Sequence, residues 1–113
     1  METDASFYQL CSLLKTHRKL ADVQQKGCCR IWSGRARDII QQFTAEHNYD
    51  WQVEVREVQI KSCLFHTFLR LILNDESYVL DGTGVSSYAE YYGPESEAPA
   101  HLLDSNRDWI DYY

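Results

Sequence analysis

A cysteine, a histidine and an aspartate stand in this order along the chain, each at one end of a predicted helix or strand. Cys29 begins an apolar stripe with helical spacing, His66 begins an apolar strand, and Asp81 closes the strand after it. A cysteine nucleophile needs a base that takes its proton, and the base needs a third group that fixes its ring. These residue types predict nucleophilic chemistry at Cys29, with His66 as the base and Asp81 as its orienting partner.

The helix that would carry Cys29 is predicted by a single apolar stripe. Its members recur at helical spacing and are Trp32, Ala36, Ile39, Ile40 and Phe43. We expect this helix to run from about Cys29 to Glu46. The positive end of its dipole and its unpaired backbone N–H groups would favour the thiolate form of Cys29. Cys28 lies in the same first turn and is the alternative nucleophile.

The fold class follows from a change of hydrophobic period along the chain. Residues 4–21 show the pattern of an amphipathic helix that Thr3 or Asp4 can cap. After the second helix the apolar period falls from about 3.6 to about 2, which is the period of strands. We therefore expect an α+β domain over residues 1–113, with N-terminal helices packed on an antiparallel sheet.

The predicted strands form a meander. The first begins at Trp51, and its alternation slips near residues 56–57, where we predict a β-bulge or a tight bend. A longer apolar strand covers residues 63–73, residues 74–77 form a turn, and a short strand covers residues 78–81. The aromatic residues that follow are expected to wrap back onto the sheet.

Two registers of the hairpin between the last two strands remain open. A turn centred on residues 75–76 would place Asp81 opposite Arg70, about 13 Å along the strand from His66. A turn centred on residues 73–74 would pair His66 with Asp81 directly. Both registers place the two side chains on the same face of the sheet.

Three short blocks of sequence hold the candidate residues. They are residues 27–33 (GCCRIWS), residues 66–71 (HTFLRL) and residues 78–83 (YVLDGT). In order, they resemble the G-x-C-x-x-F/W-S/A, H-x-F/W-V/L and W/Y-V-x-D-x-T patterns of the papain-like fold superfamily. This superfamily includes transglutaminase-like enzymes and small papain-fold deamidase toxins. Order and spacing are also similar, over residues 24–83.

The resemblance implies a minimal papain-like core and cysteine-dependent acyl chemistry on an amide or an ester. It implies that Cys29 attacks, that His66 shuttles the proton and that Asp81 orients His66. A deamidase, a protease and an acyl transferase share this chemistry, and none of them needs a cofactor or a metal for it.

The residues around the cysteine differ in part from the family's pattern. The family often uses a glutamine shortly before the nucleophile as an oxyanion donor, which makes Gln24 and Gln25 candidates, although both lie closer to Cys29 than in papain. The backbone N–H of Cys29 could also serve. Arg30 follows the cysteine directly, where papain has an aromatic residue.

Each candidate also has a structural interpretation. Cys29 could be a buried core thiol, His66 a satisfied histidine of the sheet, and Asp81 the cap of the turn at residues 82–84.

A zinc site is a further alternative. Cys28, Cys29, Cys63 and His66 are the ligand types that zinc prefers. However, Cys63 and His66 lie three apart on a predicted strand and would point to opposite faces.

Charge and cysteine content limit the classes of partner and the cellular compartment that we expect. The net charge of −6 disfavours nucleic acid, and no apolar run is long enough to span a membrane. We expect a protein or peptide as substrate or partner. Residues 82–113 hold Arg107 alone against six acidic residues, so a non-catalytic module that binds a basic partner through this acidic, aromatic surface is the alternative function. The N-terminus lacks a secretory signal, so we expect reduced thiols in the cytoplasm.

Overall fold

The computed structural model describes residues 5–61 and 64–103, which form two α-helices and a four-stranded sheet. Helix α1 covers Ala5–Thr16 and helix α2 covers Cys29–Glu46. The strands are β1 (Gln52–Lys61), β2 (Leu64–Leu73), β3 (Glu76–Asp81) and β4 (Tyr91–Pro94). The sheet is antiparallel in the order β1-β2-β3-β4. The expected α+β class, with helices followed by an antiparallel sheet, is confirmed.

The first helix is shorter than the sequence pattern predicts. It ends at Thr16, because His17 takes an extended conformation (φ −71°, ψ 129°) and its ring accepts a hydrogen bond from the Lys19 N–H at 3.1 Å. A 3₁₀-helix at Arg18–Val23 follows, and it buries Leu20 and Val23. These two side chains are three apart, which is the repeat of a 3₁₀-helix. The predicted caps Thr3 and Asp4 lie outside the described residues.

Helix α2 has the bounds that its apolar stripe predicts. Its buried residues are Trp32, Ser33, Ala36, Ile39, Ile40 and Phe43. They pack with the apolar residues of α1 and with one face of the sheet, which includes Val55, Leu69, Leu71 and Leu80. We call this face of the sheet the helix face.

The opposite face of the sheet is also covered. Val58, Phe68 and Val79 form a second apolar cluster there with Leu102, which lies in a short 3₁₀-helix at Ala100–Leu102. The segment after β3 therefore returns to the sheet within the described residues.

No helix of residues 5–61 and 64–103 is long and apolar enough to cross a bilayer.

Burial on both faces explains why the predicted bulge is misplaced. Strand β1 pairs regularly with β2 through Arg56 and Glu57, and its register shifts only between Gln59 and Lys61. Glu57 takes an inward position on the helix face, while Val58 is buried on the other face. The change in apolar alternation thus marks a change in the covered face and not an extra residue.

Candidate active site

The register of the β2–β3 hairpin lies between the two registers that the sequence left open. Leu73 pairs with Glu76, so the turn consists of Asn74 and Asp75. Both residues have positive φ (51° and 66°), as a two-residue hairpin of the primed type requires. Continued by one pair beyond Leu69↔Leu80, this register places Asp81 opposite Phe68. In both predicted registers the residue opposite Asp81 is therefore wrong by two positions, in opposite directions.

His66 and Asp81 nevertheless touch, because they are diagonal neighbours on the same face. Nε2 of His66 lies 2.8 Å from Oδ2 of Asp81. Diagonal positions of paired strands are about 7–8 Å apart at the backbone, a distance that long side chains span. Each side chain is only 1% exposed, so this hydrogen bond is shielded from competing water.

Asp81 orients the histidine and caps the following turn at the same time. Its other oxygen, Oδ1, accepts hydrogen bonds from the backbone N–H groups of Thr83 at 3.3 Å and Gly84 at 3.1 Å. Gly84 has φ +68°, and a Cβ there would press against the Tyr88 backbone, so the turn requires glycine. The capping and orienting interpretations of Asp81 are therefore compatible, because each uses a different oxygen.

Cys29 is the first residue of α2, and its half-buried thiol faces β2 beyond the end of β3. The thiol interacts with the His66 side chain and with both the backbone and the side chain of Thr67. Because Asp81 occupies Nε2 of His66, Nδ1 is the ring nitrogen available to the thiol. Nδ1 is buried, and no described residue, the thiol included, is in hydrogen-bonding geometry with it. The structure therefore brings Cys29, His66 and Asp81 together in a line.

The electrostatics of Cys29, His66 and Asp81 favour a negatively charged thiol group and a positively charged imidazole ring. Burial alone would raise the pKa of Cys29, but the polar groups of His66 and Thr67 and the charge of His66 outweigh burial and lower it. Burial would lower the pKa of His66, whereas the hydrogen bond to Asp81, the nearby Cys29 thiol and the charges of both groups raise it to about 9. Opposite shifts in two touching groups stabilise a thiolate–imidazolium pair.

The neighbouring cysteines have different surroundings. Cys28 precedes the helix and packs against the core on the helix face. Its N–H donates to the Gln25 carbonyl at 3.2 Å and its carbonyl accepts from the Trp32 N–H at 2.8 Å. Burial raises the pKa of Cys11 to about 11, as expected for a core thiol. Cys29 is thus the described cysteine that contacts a histidine.

The predicted glutamine donors do not converge on the thiol. The Gln24 side chain donates to the Lys15 carbonyl at 3.4 Å, and Gln25 is exposed. The N–H of Cys29 belongs to the first turn of α2, where backbone donors lack helical acceptors. Of the predicted donors, it is the one that belongs to the same residue as the thiol.

Sequence reasoning missed several residues that shape the site. Thr67 contacts the thiol, and it lies on the helix face of β2 with Leu69 and Leu71. Gly82 lies against the Trp32 indole, which would overlap any Cβ there. The His101 ring stacks on Tyr88 with centroids 3.8 Å apart. Burial lowers the pKa of His101, and the charges of Asp81 and His66 also act on its ring. None of these contacts follows from local sequence.

The other two interpretations reach beyond the described residues. Cys63 of the zinc alternative lies outside them, and within residues 5–61 and 64–103 no group of three potential ligands could hold a metal ion. The acidic, aromatic surface is described only in part, since residues 104–113 lie outside. Within the described part, Tyr92 packs edge-on against Trp32, and Glu95 pairs with Arg70 at 3.1 Å.

Comparison of the chain with protein-family models, with curated proteins and with solved structures found no significant match. The arrangement of Cys29, His66 and Asp81 is therefore the main indication of what the protein does.

Proposed function

We propose that this protein performs cysteine-dependent acyl chemistry on an amide or an ester, and that its core is papain-like. The observation that carries the proposal is the buried hydrogen bond between His66 and Asp81, with the Cys29 thiol against the other side of the ring. Such an arrangement fixes the tautomer of the base and stabilises its protonated form.

In the first step, the Cys29 thiolate attacks the carbonyl carbon and forms an S–C bond. The carbonyl oxygen becomes an oxyanion, which the N–H of Cys29 can stabilise at the N-terminus of α2. The imidazolium of His66 gives its proton to the leaving amine or alcohol, and the C–N or C–O bond breaks. A thioester on Cys29 remains, and His66 is neutral.

In the second step, neutral His66 takes a proton from water or from an acceptor amine. The oxygen or nitrogen attacks the thioester, the C–S bond breaks, and the thiolate–imidazolium pair is restored. Asp81 holds the imidazole ring in place through its hydrogen bond to Nε2. A deamidase, a protease and an acyl transferase differ only in the leaving group and the acceptor, so one site serves all three.

The proposal is tested by the reactivity of Cys29. In a Cys28→Ser chain, iodoacetamide should alkylate Cys29 well below pH 8.5, the ordinary pKa of a free thiol. A His66→Ala variant should lose this reactivity, and Cys29→Ala should show no adduct at this position by mass spectrometry.

An activated ester tests the acyl step itself. 4-Nitrophenyl acetate should release nitrophenolate in a burst and leave an acetyl group on Cys29. Alkylation of Cys29 only near the pH of a free thiol, with no acetyl adduct, would contradict the proposal. It would favour the alternative, a non-catalytic module that binds a protein through its C-terminal surface.

A further inference from the structure

Arg30 reaches the helix face of the sheet next to the candidate nucleophile. Its Nη2 lies 3.2 Å from Oε2 of Glu57, and the two side chains are 58% and 6% exposed. Glu57 pairs across the strands with Thr67, which contacts the Cys29 thiol. Paired residues of neighbouring strands lie about 5 Å apart. The guanidinium therefore contacts the β1 neighbour of Thr67, and the thiol contacts Thr67 itself.

Two exposed cations lie within three residues of Cys29 along the chain. Arg30 is exposed, Lys26 is exposed in the connection before α2, and the N-terminus of α2 adds a partial positive charge. The carboxylate that balances Arg30 is Glu57, which is buried beneath it. A substrate that approaches Cys29 from solvent therefore meets the guanidinium before it meets the carboxylate.

His66 shows that the site is built to receive a ligand. It is 1% exposed, its Nδ1 has no hydrogen-bond partner among the described residues, and its side chain interacts with the Cys29 thiol. A buried polar atom of this kind needs a partner, which a reacting group at Cys29 can provide.

We propose that Arg30 is a specificity residue that binds a carboxylate of the substrate beside the carbonyl that Cys29 attacks. This inference rests on the proposed cysteine chemistry and names its substrate class: acyl compounds with an acidic group close to the reacting bond, such as an acidic peptide. A guanidinium suits this role because its planar N–H groups match a carboxylate. Glu57 restrains the guanidinium, so less side-chain freedom is lost when the carboxylate binds.

Two alkylating reagents that differ in charge test this inference. Iodoacetate and iodoacetamide react with the same thiolate: an S–C bond forms, the C–I bond breaks and iodide leaves. Iodoacetate carries the carboxylate, and iodoacetamide is neutral. The ratio of their rate constants at Cys29 cancels the amount of thiolate and reports the attraction of the carboxylate alone.

The comparison uses the Cys28→Ser chain as background and low salt. Arg30→Gln should lower the iodoacetate-to-iodoacetamide ratio about fivefold, the order expected for unit charges several ångströms apart near a protein surface. Arg30→Lys should keep most of the ratio. Lys26→Gln, a matched loss of one nearby charge, should change it less than twofold. Added salt should reduce the ratio of the background chain toward that of Arg30→Gln.

The double variant Arg30→Gln with Glu57→Gln separates recognition from net charge. It leaves the local charge unchanged and removes the carboxylate that pairs with Arg30. Its ratio should still fall about threefold or more. An unchanged iodoacetate-to-iodoacetamide ratio in Arg30→Gln and in the double variant overturns the inference, while the proposed function stands. Absence of low-pH alkylation by either reagent instead overturns the proposed function and this inference with it.

Discussion

Replacement of Asp81 separates its two hydrogen-bonding roles. Asp81→Ala removes the cap of the turn, which costs about 0.5–2 kcal/mol, and strands the buried Nε2 of His66, which costs about 1–3 kcal/mol. We expect a total loss of about 2–4 kcal/mol in the free energy of unfolding. In Asp81→Asn the amide oxygen can keep the cap toward Gly84, so the loss should be about half as large.

Reactivity should respond differently from stability. The site raises the pKa of His66 from 6.5 to about 9, which corresponds to about 3 kcal/mol in favour of the protonated ring. The hydrogen bond to Asp81 is the largest of the interactions that raise it. If Asp81 supplies about half of this energy, its loss reduces the thiolate–imidazolium population about tenfold. Alkylation of Cys29 by iodoacetamide at pH 6 should then slow about tenfold in both Asp81 variants.

Thr83→Val provides the matched control. The Thr83 hydroxyl lies 3.4 Å from Oδ1 of Asp81 and 3.0 Å from the Gly84 carbonyl oxygen, and its one proton can be donated to either, so its loss weakens the turn and leaves Oδ2 on His66. This variant should lose about 1 kcal/mol of stability and keep the alkylation rate. Urea denaturation and alkylation are measured on the same samples. If Asp81→Asn alkylates as fast as the parent chain, Asp81 acts only as a cap and the reasoning is refuted.

Three further predictions concern packing and pH. Trp32→Ala should lower the unfolding free energy by roughly 3–5 kcal/mol in chemical denaturation, because the indole is 1% exposed; a loss below about 1 kcal/mol would contradict its core position. Gly82→Ala should cost about 1–3 kcal/mol and slow alkylation, because its Cβ would overlap the Trp32 indole beside Asp81; unchanged denaturation and alkylation curves would contradict this packing. In Cys29→Ser, Asp81 still raises the pKa of His66 in the folded protein above its ordinary value of 6.5. The free energy of unfolding, measured by denaturation, should therefore be highest below pH 6.5 and should fall as the pH rises through the pKa of the folded state. The parent chain should show a flatter dependence of stability on pH, because the proton that His66 gains on folding is offset by the one that Cys29 loses. A stability that does not change with pH in Cys29→Ser would contradict the raised pKa of His66.

The sequence alone predicts the helix that carries the thiol and the strands that face it. Helix α2 begins at Cys29 and ends at Glu46, as its apolar stripe indicates, because that stripe is a local property with one matching period. The fold class, and the placement of His66 and Asp81 on one face of the sheet, also follow from the local hydrophobic period of the sequence. Alternation along a strand fixes the face whichever register the hairpin takes.

Which faces of the sheet are covered, and where each helix or strand ends, are not local properties of the sequence. The pattern of residues 4–21 continues past Thr16, yet the chain turns at His17 because Leu20 and Val23 are buried by a 3₁₀-helix. The slip near Glu57 suggested a bulge, but the sheet is buried on both sides. Packing partners distant in sequence decide both outcomes.

Only the tertiary structure decided how the three candidate residues meet. The register depends on which two residues take positive φ, and Asn74 with Asp75 is one of several turns that the polar segment permits. This register makes His66 and Asp81 diagonal neighbours and leaves Oδ1 of Asp81 for the following turn. The contact of Cys29 with His66 and Thr67 depends on where β3 ends against α2. Such contacts join elements far apart in sequence, so residue spacing alone does not encode their distances.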